Sequence, residues 1–330
     1  MLVFNHIAAT AAAVALAVGL LVAAGPADAS VGTDPPMGLM LQVSSLAPSV
    51  SPATLKTWLT DVRRDHRDPT KPGYVNAIVV QDIADPTGAL YTSYLDVLAP
   101  FLPGGATPAF TRAYVGTVDL PWTGGGSKYT AGIESSTFRS ENKTKSVAAA
   151  KAFHSRYPQV VNDWYITYEA NLAGFWDANL AAAYRAYIVG LSKAFAGVTP
   201  HRSLLWSPAF WTMFADEPAW AWPDLKKNLS TLFADLPTRL TLSIQDFVGQ
   251  SAGATTPQNA AAWVRYLKQG WSSTLDRVQI NVEQFAQSAG GAITTGSATE
   301  LPAREEYYRG QGIELGAAWE MRYWHSRLYG

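Results

Sequence analysis

Short apolar and β-branched runs alternate with amphipathic helical stretches along most of the chain. The runs are Met37–Gln42, Val75–Gln81, Phe110–Val118, Trp164–Glu169, Ser203–Ser207, Leu240–Asp246, Val278–Glu283 and Gly312–Trp319. Between them, a helix opens at Ser51-Pro52, a cap residue followed by proline at the first helical position. It carries Leu55, Trp58, Leu59 and Val62 on one face and runs to about His66. Further helices are expected near Tyr91–Leu102, Ser146–Tyr157, Asp177–Phe195, Asp224–Phe233, Pro257–Gln269 and Glu300–Arg309. Strand-like runs separated by helices predict parallel strands joined by crossovers. Eight of them in one chain of this length predict an α/β fold, a single (β/α)8 TIM barrel covering residues 30–330. A doubly wound open sheet is the rival. It needs a glycine-rich phosphate loop after the first strand, and the cluster Gly124–Gly126 beside Trp122 lacks that spacing.

The first segment stands apart from this pattern. Ile7–Gly25 is an almost unbroken apolar run, followed by Pro26 and then Ala27-Asp28-Ala29. Small residues at positions 27 and 29 fit a signal-peptidase site, so residues 1–29 are expected to be a signal peptide cut after Ala29. A retained membrane anchor is the alternative, because the run nearly spans a bilayer and no Lys or Arg precedes it. The product expected is a soluble monomer, secreted or held outside the cytoplasm in the periplasm or cell envelope.

Composition narrows the chemistry. The chain has 25 Lys and Arg against 26 Asp and Glu. Residues 1–29 hold one acid (Asp28) and no Lys or Arg, so the part after the cut carries 25 of each sign. That balance disfavours nucleic acid as a partner, which calls for a basic excess. The absence of cysteine excludes disulfides, thiolate metal sites and cysteine nucleophiles. No pair among His66, His154, His201 and His325 has metal-ligand spacing, so neither a metal nor another cofactor is expected. The G-x-S-x-G nucleophile pattern is also missing. The sequons at Asn142 and Asn228 matter only in a glycosylating host. With 12 Trp, 15 Tyr and 12 Phe, the chain has rings to spare beyond its core.

In such a barrel the working face lies at the C-terminal ends of the strands. Those ends carry Gln81 and Asp82, Asp119, Glu169, Gln245 and Asp246, Glu283, and Trp319 and Glu320. Amides and carboxylates bind hydroxyls, aromatic faces cover sugar rings, and two acids serve a glycosidic bond. Glu169 and Glu283 are the best acid pair, each among apolar or aromatic neighbours that raise a carboxyl pKa. Asp246, Gln245, Asn281, Asn171, Gln81 and Asp82 are candidate hydroxyl ligands, although Asp82, close to Asp85-Pro86, reads equally as a cap. Trp206, Trp211, Trp220, Trp222 and Trp319 are candidate stacking platforms, with Trp211 and Trp319 foremost. Each acid and each ring also has a purely structural reading, as a hydrogen-bond partner or as core. The aromatic loops suggest a groove for several sugar units.

Glutamates ending the fourth and seventh strands resemble the large clan of retaining (β/α)8 glycosidases. That resemblance implies an acid/base at Glu169 and a nucleophile at Glu283. The chain departs from the clan in having Tyr168, not Asn, before the first glutamate. The segments WYITYEAN (164–171), IQDFVGQ (244–250) and INVEQF (280–285) also resemble the barrel family called domain of unknown function 4434. Together these readings imply a secreted glycoside hydrolase acting on a polysaccharide, oligosaccharide or envelope glycan. The alternatives are a non-catalytic glycan-binding or envelope-associated barrel, and an inverting glycosidase using Asp246 with Glu169.

Overall fold

The computed structural model describes residues 37–329 apart from 47–48, 69–72, 200–202, 210–220, 237–239, 251–254 and 289–290. The leader expected at 1–29 lies outside the described residues. In chain order the strands are β1 (Met37–Gln42), β2 (Val75–Asp82), β3 (Arg112–Val115), β4 (Asp163–Ile166) and β5 (Leu204–Trp206). They continue with β6 (Leu240–Gln245), β7 (Leu275–Glu283), β8 (Phe285–Gln287), β9 (Ile293–Thr295) and β10 (Glu314–Trp319). Strands β1 to β7 and β10 pair in parallel and close in the order β1-β10-β7-β6-β5-β4-β3-β2. This is the (β/α)8 barrel expected from the alternation of runs. The antiparallel hairpin β8–β9 is an insertion after β7 that the pattern did not signal.

Helices α1 (Val43–Leu46), α2 (Pro52–Asp65), α3 (Thr92–Leu98), α4 (Ser136–Arg156) and α5 (Ala178–Ala196) are followed by α6 (Ala221–Ala234). Helices α7 (Pro257–Trp271), α8 (Glu300–Gly310) and α9 (Met321–Tyr329) complete the chain. Several start at side-chain caps that satisfy orphan amides of the first turn. The Ser51 hydroxyl accepts from Thr54 N at 3.1 Å, and Thr256 from Asn259 N at 3.2 Å. Helix α4 starts ten residues before the expected Ser146. Its first half is polar and lacks an apolar stripe, but Ser135 caps Phe138 N at 3.3 Å and holds it helical. No helix among the described residues is long and apolar enough to cross a membrane.

Two layers fill the structure. Outward-facing strand residues such as Val278, Ile280 and Val282 join helix residues such as Trp263, Val264 and Leu267 in the main core. Inside the barrel, Met40, Val79, Tyr114, Tyr165, Leu205 and Ala317 pack together. On the β5–β6–β7 side the interior is polar. Ser207, Ser243 and Asn281 bond to one another there, and Gln279 donates to Ser243 Oγ at 3.0 Å. Gly316 allows this close packing, because a Cβ at that position would collide with Ser243 Oγ and Asn281 Oδ1.

Candidate active site

Strand β4 ends at Ile166, so Glu169 stands in the connection beyond it rather than on the strand. The next two residues bind neighbouring loops instead of continuing the ladder. Thr167 Oγ1 donates to Val118 O at 3.1 Å and Tyr168 OH to Leu120 O at 2.6 Å. The Glu169 carboxyl is thereby set over the barrel mouth. Its Oε1 accepts from Gln81 Nε2 at 2.8 Å and from Tyr165 OH at 3.0 Å. Burial raises its pKa to about 7 against the pull of Gln245 and Tyr165, with Asp119 raising it further and Lys128 lowering it. The side chain keeps partial solvent exposure, so the surrounding protein desolvates it without closing it off. Gln81 Oε1 is buried without a hydrogen-bond partner among the described residues, a free acceptor beside this acid.

Glu283 ends β7 opposite Trp319 of β10. By the strand's alternation it faces the same side as Gln279 and Asn281. Only 2 % exposed, it accepts from Gly249 N at 2.7 Å and Gln250 Nε2 at 3.1 Å. Burial and then the neighbouring Asp246 raise its pKa to about 8, while Gln250 and Gly249 pull it down. The ring of Trp319 meets Phe285 edge-on at 5.0 Å, which fixes it beside this acid. The Trp319–Glu320 peptide bond is cis.

Other expected ligands are engaged elsewhere. Asn281, 1 % exposed, uses its whole amide inside the barrel. Nδ2 donates to Ser207 Oγ at 2.5 Å and to Ser243 O, and Oδ1 accepts from Ser243 Oγ and from Ala317 N at 2.6 Å. It braces the barrel instead of holding a hydroxyl. Asp246, fully buried, accepts from Glu283 N at 3.2 Å and Tyr308 OH at 3.2 Å and faces Arg304 Nε at 3.3 Å. Its carboxylate therefore supports the backbone under Glu283. Asp82 accepts the Ser44 amide at the start of α1, at 3.2 Å to Oδ2. It is the cap of the two readings given above. Glu320 is buried against Ser45 Oγ and Arg322. Gln245 stays at the mouth, with Nε2 donating to Ser207 O at 2.9 Å. Asn171 pairs with Ala209 in a β-bridge on the same rim.

Among the aromatic candidates, Trp206 is fully buried and donates to Tyr168 O at 2.7 Å, so it is core. Trp211 and Trp220 lie outside the described residues, as does the side chain of Trp222. Trp176, not singled out from the sequence, is 45 % exposed in the β4–α5 connection at the working face. Residues that the sequence did not flag also complete the surroundings of the two acids. Lys128 pairs with Asp119 at 2.7 Å and lies 4.9 Å and 5.6 Å from the ring centres of Tyr129 and Tyr168. Gly249 and Gln250 were visible only as part of the IQDFVGQ stretch. The sequon residue Asn142 is fully buried and accepts from Tyr187 OH at 2.7 Å, which leaves no room for a glycan.

The fold has solved counterparts. A proposed alpha-L-fucosidase from Bacteroides thetaiotaomicron VPI-5482 superimposes with a TM-score of 0.59 at 13% identity, covering 86% of this chain and 87% of that one. A beta-galactosidase from the psychrophilic Marinomonas ef1 gives 0.53 at 12% identity, over 86% of this chain and 54% of its own. An exo-beta-1,4-mannosidase from Opitutaceae bacterium strain TAV5 gives 0.52 at 13% identity, over 86% and 51%. The chain thus spans about half the length of the last two. At these identities the likeness is one of fold. No protein-family model matches the chain, and no curated protein matches its sequence.

Proposed function

We propose that this chain is an exported glycoside hydrolase whose chemistry is carried by Glu169 and Glu283. The observation that carries the reading is Glu169 itself. It is an acid at the barrel mouth, its pKa lifted to about 7 by burial, and it is oriented by Gln81 and Tyr165. A carboxyl that exchanges its proton near pH 7 suits general acid/base work. Glycosidase barrels among the solved counterparts support the reaction class. The three segments that resemble the domain of unknown function 4434 family carry Glu169, Gln245 to Gln250, and Glu283.

In the retaining route Glu169 gives its proton to the glycosidic oxygen as the bond to the anomeric carbon breaks. The Glu283 carboxylate bonds to that carbon. Glu169 then takes a proton from water, whose oxygen displaces Glu283 and restores both residues. Glu283 must be ionised for this, and the donors Gly249 N and Gln250 Nε2 favour that form.

One observation favours exchanging the roles. Burial and the neighbouring Asp246 raise Glu283 as well, to about 8, which favours its protonated form. The two assignments separate on aryl glycosides with a good leaving group, which need little protonation. The variant lacking the acid keeps most of its kcat/KM there, which reports the first step, but loses about 10²–10⁴-fold on natural linkages. Glu169→Gln showing that split supports the first assignment, and Glu283→Gln showing it supports the second. Wild-type turnover in both variants removes the two-glutamate mechanism. The anomer formed first, read by NMR, separates retention from inversion.

A further inference from the structure

Outside the barrel mouth, residues 248–250, 257–258 and 285–287 frame a groove of about 680 Å³ against α8. That volume is in the range of sites that hold a small-molecule-sized ligand. Gln250, Gln258 and Gln287 bring carboxamides to its walls, and Tyr307 brings a half-buried ring. A carboxamide donates and accepts at once, as a sugar hydroxyl does, and a ring covers an apolar C–H face. Glu300 and Arg304, one turn apart on α8, bring one charge of each sign. Arg304 is already paired with the buried Asp246, so the described lining offers an anion no free cation.

Its inner wall is shared with the candidate active site. Gly249 and Gln250 line the groove and also hold the two oxygens of Glu283. Phe285, on the same wall, is the ring that meets Trp319 at the mouth. The groove and Glu283 therefore adjoin across Gly249 and Gln250.

We infer that this groove binds a stretch of neutral glycan several units beyond the bond at Glu169 and Glu283, an inference that rests on the glycosidase reading. The substrate is accordingly a linear uncharged polymer, held by amides along the groove as well as by rings at the mouth.

Calorimetry on Glu169→Gln protein tests this, since that substitution slows turnover without touching the groove. The probes are linear hexasaccharides of β-1,4-linked xylose, mannose and N-acetylglucosamine, with a galacturonic acid hexasaccharide as the anionic control. At least one neutral probe is expected to bind saturably and more tightly than the anionic one. Adding Tyr307→Ala together with Gln258→Ala is expected to weaken that binding by about tenfold. Gln258 is exposed, so Gln258→Ala alone keeps the fold intact and is expected to weaken it by about threefold. Affinities unchanged in both variants, saturable binding by none of the neutral probes, or preference for the anionic probe each overturn the inference. Full turnover of a bound hexasaccharide by Glu169→Gln would overturn the two-glutamate mechanism and leave the groove standing.

Discussion

The proton affinity of Glu169 is a balance between burial, which raises it, and hydrogen bonds to its carboxylate, which lower it. Tyr165 contributes one of those bonds. Its own pKa lies far above the usual range because it is fully buried, so its hydroxyl stays a donor throughout the working pH range. Tyr165→Phe removes the bond and keeps the ring. A net hydrogen bond to a charged group is worth about 1.5–3 kcal/mol, so the Glu169 midpoint is expected to rise by about one to two units. Titration of carboxyl-labelled glutamate by NMR reads this directly, and a midpoint that stays or falls contradicts the balance described. Asp82 obeys the same physics without serving catalysis. Burial lifts its pKa to about 6 despite the Ser44 contacts, so the ionised form is costly in the folded state. Asp82→Asn keeps an acceptor for the Ser44 amide and removes that charge. Urea midpoints are expected to rise by about 1–3 kcal/mol-equivalents at pH 8 and to match wild type at pH 4. Equal effects at both pH values would mean that charge is not the cause.

Helix α8 is tied to the site by Arg304 and Tyr308. Arg304 pairs with Asp246 of the β6 end and donates to the main-chain oxygen of Glu283. Arg304→Met leaves Asp246 buried beside Glu283 with its principal counter-charge gone. A loss of about 3–5 kcal/mol is expected in guanidinium unfolding, as for other broken buried pairs. The double variant Arg304→Met, Asp246→Leu should recover part of that loss, and a double variant as weak as the sum of the singles contradicts the pairing. This tie also marks the limit of what the sequence discloses. Apolar runs revealed the strands, because parallel strands buried under helices need them. They also placed Glu283 on its strand end and Glu169 close to one. Strand β7 alternates Val278, Ile280 and Val282 with Gln279, Asn281 and Glu283, so the inward polar face was legible too. Depth was not. Asn281 and Glu283 look alike in the pattern, yet one is consumed inside the barrel and the other lies at its lip. Arg304, in a helix rich in charge, reads as a solvated residue until the fold buries it. Lys128 and Tyr129 come from an irregular connection without periodicity, where only packing brings them toward Glu169.

Across the molecule, the buried acids share one sign. Burial comes first in raising Asp82, Glu169, Asp246, Glu283 and Glu320. A carboxyl whose folded pKa lies above its unfolded value binds its proton more tightly in the folded state. Its contribution is complete below the unfolded pKa, near 4, and is lost as pH rises through the folded one. Those losses start near pH 4 and are complete above about 6 for Asp82, 7 for Glu169 and 8 for Glu283. Opposing terms act mainly at lower pH. Hydrogen bonds from Arg64, Thr87 and Arg156 lower Asp65, Asp85 and Asp96 respectively, and these lose their advantage only as pH falls through their depressed values. His66, lowered by burial, disfavours folding once it is forced to take a proton below its ordinary range. Near-zero net charge keeps general self-repulsion small, so the buried acids set the trend. Unfolding free energy is therefore expected to peak near pH 4 and to fall by several kcal/mol, on the order of one to two per titrating acid, by pH 8. Urea unfolding at half-unit pH steps checks this, with Asp82→Asn flattening the portion from about pH 4 to about 6. Stability that rises steadily from pH 5 to 8 would mean that these acids are ionised at no cost. The proton-exchanging Glu169 on which the catalytic reading stands would fall with them.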